Sequence, residues 1–363
     1  LIYNCYSIFS FISYMLWMKR TKTEFIVLKA FNGDCILVKT FTSEQEEFIV
    51  LVDGGTASTF DRYLKHELKE IKKIDLLVLT HIDSDHIGGL LRLFNNSLIN
   101  ELDIVEIWIN YPNLINVNLS GQIGFDQANK LKDLILQKKG NVVFKEITTA
   151  ERFINRSGVS FTILSPTQKI LDLLYERWDF GKNEPEVDID IASDFNTYTV
   201  SLEELSKLPF KPDKTVEQDL VNASSISFII SCPDINILLL GDSRSEIIEQ
   251  ELKKLGYNEE SPFVCDYVKV SHHGSKNNTS EYLLKLLKTT NYIISTNGGS
   301  SKTKHPSRDV IGKIIFNPRR ELNELLFIFV NYPISEIKNR IGNFIAEDDM
   351  ESGNWKIEHK NKF

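Results

Sequence analysis

Cysteine is scarce in this chain of 363 residues, which carries four, and no two of them form a Cys-x-x-Cys pair. Cys5, Cys35, Cys232 and Cys265 are scattered along the chain. That spacing argues against a disulfide scaffold and a zinc-thiolate site, and buried or free thiols in a reducing compartment are expected. Positive charge is also lacking: the formal net charge is -8. That argues against a general nucleic-acid coat or a polybasic membrane binder, but not against a nuclease, whose basic residues need only line one groove. No internal repeat is convincing, and no series of apolar runs exists that could build an integral membrane channel. The one apolar and aromatic stretch of note, Leu1 to Trp17, is followed by Lys19, Arg20 and Lys22. It has no basic leader and no small-residue cleavage site, and it is short for a span. The chain begins with Leu1, and Met18 offers a start just before the first strand. Residues 1–22 are thus expected to be an apolar extension not native to the protein, with a membrane anchor by residues 1–17 as the alternative and the cytoplasm as the location.

What is present is an ordinary globular composition, 42% hydrophobic and 25% charged, enough to build a sizeable core. Strand-like runs at Glu24–Leu28 and Cys35–Val38 flank a turn at Asn32-Gly33-Asp34, a hairpin-type signal. Phe48–Val52 and Ile74–Leu79 give further strands, with a helix expected from about Thr59 to Lys72 between them. The alternation continues through Ile104–Ile109, a helix near Gln127–Lys138, Val142–Phe144 and Val159–Leu164. It resumes with Ile226–Ser231, Ile235–Leu240, Tyr267–Val270, Tyr292–Ser295 and Leu326–Val330, with helices near Arg244–Leu255, Ser280–Lys288 and Arg308–Phe316. Such alternation predicts mixed α/β layers. One domain is expected over residues 23–331, with an irregular insertion at about 166–220 that includes the acidic segment Glu184–Asp190, and a C-terminal extension at 332–363.

The most informative stretch is Thr80-His81-Ile82-Asp83-Ser84-Asp85-His86-Ile87-Gly88-Gly89. His81, Asp83, Asp85 and His86 fall within six residues directly after a buried-looking strand. Imidazoles and carboxylates at these spacings can turn inward together only in a tight loop, where they could surround a pair of divalent ions. A solvated turn or an EF-hand-like calcium loop is the competing reading, but the histidines fit calcium poorly. Gly88 and Gly89 then let the backbone pass close to the site. The same logic recurs twice. Leu238-Leu239-Leu240-Gly241-Asp242 delivers a carboxylate at the end of a buried strand, where it must be paired or cap a helix. Val268-Lys269-Val270-Ser271-His272-His273-Gly274-Ser275 delivers two imidazoles past another. His272 is expected to bind metal and His273 to face substrate, although neighbours on an extended backbone point oppositely and the two could be exchanged. Ser275 could donate to a phosphate oxygen or cap a helix. Lys276, Lys302, Lys304 and Arg308 are candidate phosphate contacts, which position without specifying.

Taken in order, Gly33-Asp34, Asp53-Gly54-Gly55, His81-x-Asp83-x-Asp85-His86, Asn222-x-Ser224, Gly241-Asp242, His272-His273-Gly274-Ser275 and His305-Pro306 resemble the metallo-beta-lactamase fold superfamily, and within it the ComEC-type competence-protein branch. The resemblance spans about Thr23 to Val330. It implies a four-layer αββα sandwich and a binuclear centre with His81, Asp83, Asp85, His86, Asp242 and His272 as ligands, Asp242 bridging. It further implies that Asp53 orients the metal loop by hydrogen bonding, where a plain turn residue is the other reading. Asp85 and His305 are the expected catalytic groups, His305 as general acid or oxyanion partner; His273, Ser275, Asn222 and Lys304 are the expected substrate contacts. The sequence departs from most of the superfamily in two places: Asp83 stands for an imidazole, and no histidine precedes the bridging Asp, where Asn222-Ala223-Ser224-Ser225 stands. The oxygen-rich donor set shifts preference from zinc toward manganese or magnesium. The expected function is a metal-dependent phosphodiesterase or nuclease acting on DNA or RNA through a hydroxide bridging two divalent ions. Ester, lactone or amide hydrolysis on the same fold, or a non-catalytic metal-binding module, are the alternatives.

Overall fold

The computed structural model describes residues 22–111, 123–180, 199–299 and 304–363. The expectations for residues 1–21, for the acidic segment Glu184–Asp190, for Lys302 and for Cys5 lie outside them. Six strands form the first sheet in chain order: β1 (Glu24–Val27), β2 (Ile36–Phe41), β3 (Glu47–Val52), β4 (Lys73–Val78), β5 (Asp103–Trp108) and β6 (Val143–Lys145). β1 to β3 are antiparallel, and β3 to β6 run parallel.

The second half of the chain supplies β7 (Phe153–Arg156), β8 (Val159–Ser165), β9 (Ser227–Ser231), β10 (Asn236–Leu239), the short β11 (Phe263–Val264), β12 (Tyr267–Lys269), the short β13 (Leu287–Lys288), β14 (Asn291–Ile294), β15 (Leu326–Val330) and β16 (Trp355–His359). Eight of these form the second sheet in the order β16-β15-β14-β12-β10-β9-β8-β7, and β11 pairs with β13 apart from it.

Alternation along the strands divides the apolar side chains between two sides. Phe25, Val38, Leu76, Val78, Trp108, Phe161, Phe228 and Ile293 fill the space between the sheets. The outer face of the first sheet is covered by α1 (Ser84–Phe94), α2 (Ile123–Lys138) and α3 (Gln168–Phe180), whose Leu90, Leu131 and Leu174 join Leu51 and Leu77. The outer face of the second is covered by α4 (Ser245–Lys254), α5 (Arg308–Ile315) and α6 (Ile334–Ile341), through Leu252, Ile311 and Ile337. This is the four-layer αββα sandwich that the resemblance implied, and the mixed α/β layering that the alternation predicted.

Three details differ from the sequence reading. The helix expected at 59–72 is a run of short helical turns, Ala57–Thr59, Phe60–Leu64, Lys65–Glu67 and Leu68–Glu70, in which Phe60–Leu64 is wider than an α-helix. The described parts of the stretch 166–220 are largely helical: α3 buries Leu171, Leu174 and Trp178 in the core, and Leu202–Ser206 packs beside α5. Residues 332–363 supply α6 and β16, and β16 extends the second sheet parallel to β15. Among the described residues no helix is long and apolar enough to cross a membrane. Cys35, Cys232 and Cys265 are buried free thiols.

Candidate metal centre

β3, β4, β10, β12 and β14 all end on the same side of the sandwich, and the chain just past each end carries the polar residues of the site. β3 runs out at Asp53, whose buried carboxylate accepts three hydrogen bonds: from the Thr80 amide (2.7 Å), the Thr80 hydroxyl (2.7 Å) and His86 Nδ1 (2.8 Å). The loop after β4 and the first turn of α1 are pressed onto this corner. A Cβ on Gly89 would lie 1.9 Å from the carbonyl oxygen of Gly54, so only glycine allows the approach.

These bonds fix which nitrogen of each imidazole carries the proton when the ring is neutral. Asp53 is an acceptor, so His86 carries its proton on Nδ1 and leaves Nε2 bare. The Thr80 hydroxyl spends its single proton on Asp53 and must accept from His81 Nδ1 (3.0 Å), which bares His81 Nε2. His273 Nδ1 meets the carbonyl oxygen of Ser295 (2.8 Å), again a pure acceptor. Asn278 gives its amide protons to the carbonyl oxygens of Asp242 (2.9 Å) and Ser243 (3.3 Å), so its own oxygen receives His272 Nδ1 (3.1 Å).

All four bare Nε2 atoms face one carboxylate oxygen. Asp242 Oδ2 lies 3.5 Å from that of His86, 3.6 Å from His273, 3.7 Å from His272 and 3.9 Å from His81. Lone pairs gathered around an anionic oxygen repel it unless cations lie between, and Nε2 of His81, His86 and His273 is buried with no hydrogen-bond partner. The carboxylates of the loop complete the ring: Asp83 Oδ2 is 3.4 Å from His81 Nε2, and Asp85 Oδ2 is 4.0 Å from His273 Nε2. The donor groups His81, His86 and Asp242, and Asp85, His86 and His273, each lie within 4.8 Å of one another. The cluster can hold one or two divalent ions.

The charges respond accordingly. Burial opposes ionisation of Asp242, but His272, His86 and His273 together hold its carboxyl well below the usual range. Burial likewise disfavours the charged form of His86, yet Asp242 and Asp53 hold it well above the ordinary value, so in the absence of a cation a proton takes its place. Burial, with Asp83 and Asp242 adding to it, pushes Asp85 up to about 6 against the pull of His86 and His81.

His272 and His273 both take left-handed backbone, φ 45° and 54°, rather than the extended form that would send neighbours to opposite sides. Both rings therefore face Asp242, and it is His273 that shares a donor cluster with Asp85 and His86. His305 is buried beside them, its ring centre 5.5 Å from that of His272 and 6.5 Å from that of His273.

The expected substrate contacts are placed variously. Asn222 bonds Asp219 (2.8 Å), which pairs with Arg244 (3.2 Å). Ser275 receives the Asn277 amide (3.2 Å), and Lys304 is half-buried next to His305. Lys276 pairs with Asp213 (3.2 Å). Arg308, expected at a phosphate, is buried and binds Asp349, Phe344 and Val200 instead, because it starts a helix packed under the C-terminal segment.

Sequence reading passed over Asn32, which donates to Asp85 Oδ2 (2.7 Å), and Lys269, whose ammonium is buried against Asp34. A lysine between two valines on a buried strand was the available signal for the latter. Asn278 and Ser295, which set the tautomers of the paired imidazoles, carried none.

The sequence model of the metallo-beta-lactamase superfamily matches residues 28–150. No curated protein matches the chain. Among solved structures, a diphosphatase of the PhnP family is 11% identical, with 94% of this chain and 97% of that one aligned at a TM-score of 0.41. Zinc-bound PqqB from Methylobacterium extorquens is 9% identical over 93% and 98% of the two chains, with a TM-score of 0.40. A long form of RNase Z from yeast is 18% identical over 80% of this chain and 39% of that one, with a TM-score of 0.33. The chain has the metallo-beta-lactamase fold.

Proposed function

We propose that the protein is a metal-dependent hydrolase of phosphodiesters, with single-stranded nucleic acid as the candidate substrate, of the ComEC-type branch that its motifs resemble. The observation that carries the reading is the convergence of four bare Nε2 atoms on Asp242 Oδ2, at 3.5 to 3.9 Å. His81, Asp83 and Asp242 would hold one ion; Asp85, His86, His273 and the shared Asp242 would hold the other, with His272 in reach of either. When bound, a pair of divalent ions supplies an activated water near neutral pH and offsets charge developing on phosphate oxygens. Three carboxylates among the donors favour manganese or magnesium, with zinc as the imidazole-preferred alternative.

The chain's own residues do the rest. Asp53, Thr80, Asn278 and Ser295 hold the imidazoles in the one tautomer that presents Nε2 inward. Asp85, tied by Asn32, is fixed at the edge of the site. His305, beside His272 and His273, is placed to pass a proton to the departing oxygen. The test is hydrolysis of bis-p-nitrophenyl phosphate and of single-stranded DNA with Mn²⁺, beside Asp85→Ala and Asp242→Ala. Metal-dependent turnover of either, lost in both variants, is expected. Turnover confined to ester or lactone substrates would move the assignment to carbonyl chemistry, and none on any substrate would leave a metal-binding module.

A further inference from the structure

Phe31 holds a backbone conformation that a bulky side chain rarely adopts, φ +64°. Its amide donates to the hydroxyl of Tyr332 (2.8 Å), and its carbonyl accepts from the amide of Asn297 (2.9 Å). The surrounding turn is riveted to the metal centre. Asn32 donates to Asp85, the Ser295 hydroxyl donates to the carbonyl of Gly33 (2.9 Å), and a Cβ on Gly33 would lie 1.7 Å from the carbonyl oxygen of Asp85. The strained position therefore places an aromatic ring one residue from a contact with the site, although glycine would take the same backbone without strain.

The ring is half-buried and lies in a cationic setting. The exposed Arg62 guanidinium sits 5.5 Å from its centre, the ring of Tyr63 is 6.5 Å away, and the Lys29 ammonium lies 5.4 Å from the ring of Tyr332. Asp61, the carboxylate next to Arg62 in the chain, is turned to Arg92 (3.9 Å). An aromatic ring with a guanidinium over it, beside another with an ammonium over it, suits a ligand that is itself flat and carries negative charge, since a base stacks on a guanidinium plane as it does on a ring; an unpaired base on a phosphodiester backbone is both. An acyl or lactone substrate would find no use for the cations.

We infer that Phe31, with Arg62 and Tyr63, is a stacking platform that receives the base of the nucleotide whose phosphate lies on the metal centre, which makes single-stranded nucleic acid the substrate class. This rests on the phosphodiesterase reading above. Arg62 meets the neighbouring phosphate, so the platform contributes to binding and not to the chemical step.

The experiment compares two single-stranded oligonucleotides of one length, one complete and one with an abasic residue at the scissile step. Both are measured by fluorescence anisotropy with EDTA present and by cleavage with Mn²⁺. For Phe31→Ala, binding and kcat/KM are expected to fall roughly tenfold more on the complete strand than on the abasic one, the loss being in KM. Phe31→Trp restores the difference. Phe31→Gly, in which relief of the left-handed backbone offsets part of the packing lost with the ring, shows the same selective loss. Equal losses on the two strands, or neither binding nor cleavage of either strand by the wild-type protein with Mn²⁺ present, overturn the inference. Base-selective binding without cleavage would leave the platform in place and remove the hydrolase reading.

Discussion

Lys269 and Asp34, 235 positions apart in the chain, form an ion pair with both side chains buried, and the same ammonium lies 4.0 Å from Asp242 Oδ1. Asp34 Oδ1 in turn lies 3.7 Å from His273 Nδ1. The pair thus joins the first hairpin of one sheet to the central strand of the other, directly behind the metal centre. Removing one member leaves the other charge buried and uncompensated. Lys269→Met is expected to destabilise the fold by about 3–5 kcal/mol, and Lys269→Met with Asp34→Leu to recover most of the loss. Urea unfolding of both variants measures this; a double variant no more stable than the single one would show that packing, and not charge, holds the two sheets here.

Asp53 sets the tautomer of His86 by accepting its Nδ1 proton while also holding Thr80. Asp53→Asn puts an amide group where two donors converge. Affinity for Mn²⁺ or Zn²⁺ should fall about 10–100-fold, as when other groups that support a metal-bound imidazole are removed. Competition with a chromogenic chelator reads the change, and an unaltered affinity would mean that Asp53 is only a turn residue.

Metal ions that bind the native chain alone should stabilise it, by about 2.7 kcal/mol when present at about 100 times their Kd. Melting with Mn²⁺, and again after EDTA, should show a reversible rise and fall in Tm. Asp242→Ala, which takes away the oxygen that the Nε2 atoms of His81, His86, His272 and His273 face, should abolish the response and lower the metal content below stoichiometry. A wild-type melt indifferent to both treatments would contradict the metal centre.

Away from the site, Glu106 on β5 ties the first sheet to β7, the edge strand of the second: its carboxylate accepts from Trp108 Nε1 (2.8 Å) and from Arg156 Nε (2.7 Å) and Nη2 (2.9 Å). Burial alone would raise its pKa, but Arg156, Trp108 and Lys145 outweigh it and hold the carboxyl below its ordinary value of 4.5. The folded state therefore binds this proton less readily than the unfolded one. The contribution is complete above that ordinary value and is lost as pH falls through the lower folded one. The difference in urea midpoint between wild type and Glu106→Gln should be constant near neutrality and shrink below about pH 4.

The parts of the molecule that could be read from sequence are those whose signal is local. β3 and β4 are apolar runs bounded by turn residues, found at Glu47–Val52 and Lys73–Val78 against expected Phe48–Val52 and Ile74–Leu79. The donors of the first loop fall within six residues, so their common direction follows from one tight turn. β16 escaped because Trp355-Lys356-Ile357-Glu358-His359 is short and mostly polar at the sheet edge, too brief for a period of two to stand out. The choice between His272 and His273 could not be made by alternation, since both residues leave the extended region. The Lys269 and Asp34 pair could not be found at all, because only the packing of one sheet on the other brings them together.

β1 is the outermost strand of the first sheet, and its free edge is taken up by the tail after β16. The amides of Phe25 and Val27 donate to the carbonyls of Phe363 (3.0 Å) and Asn361 (2.9 Å), and the Phe363 amide returns a bond to Phe25 (2.8 Å). During synthesis on the ribosome this edge stays bare until residues 361–363 have left the exit tunnel, so β1 waits for a segment that is made long after it. The interval before that closure is when the chain is most open to sticking to another copy of itself, and a substitution that loosens residues 361–363 would prolong it.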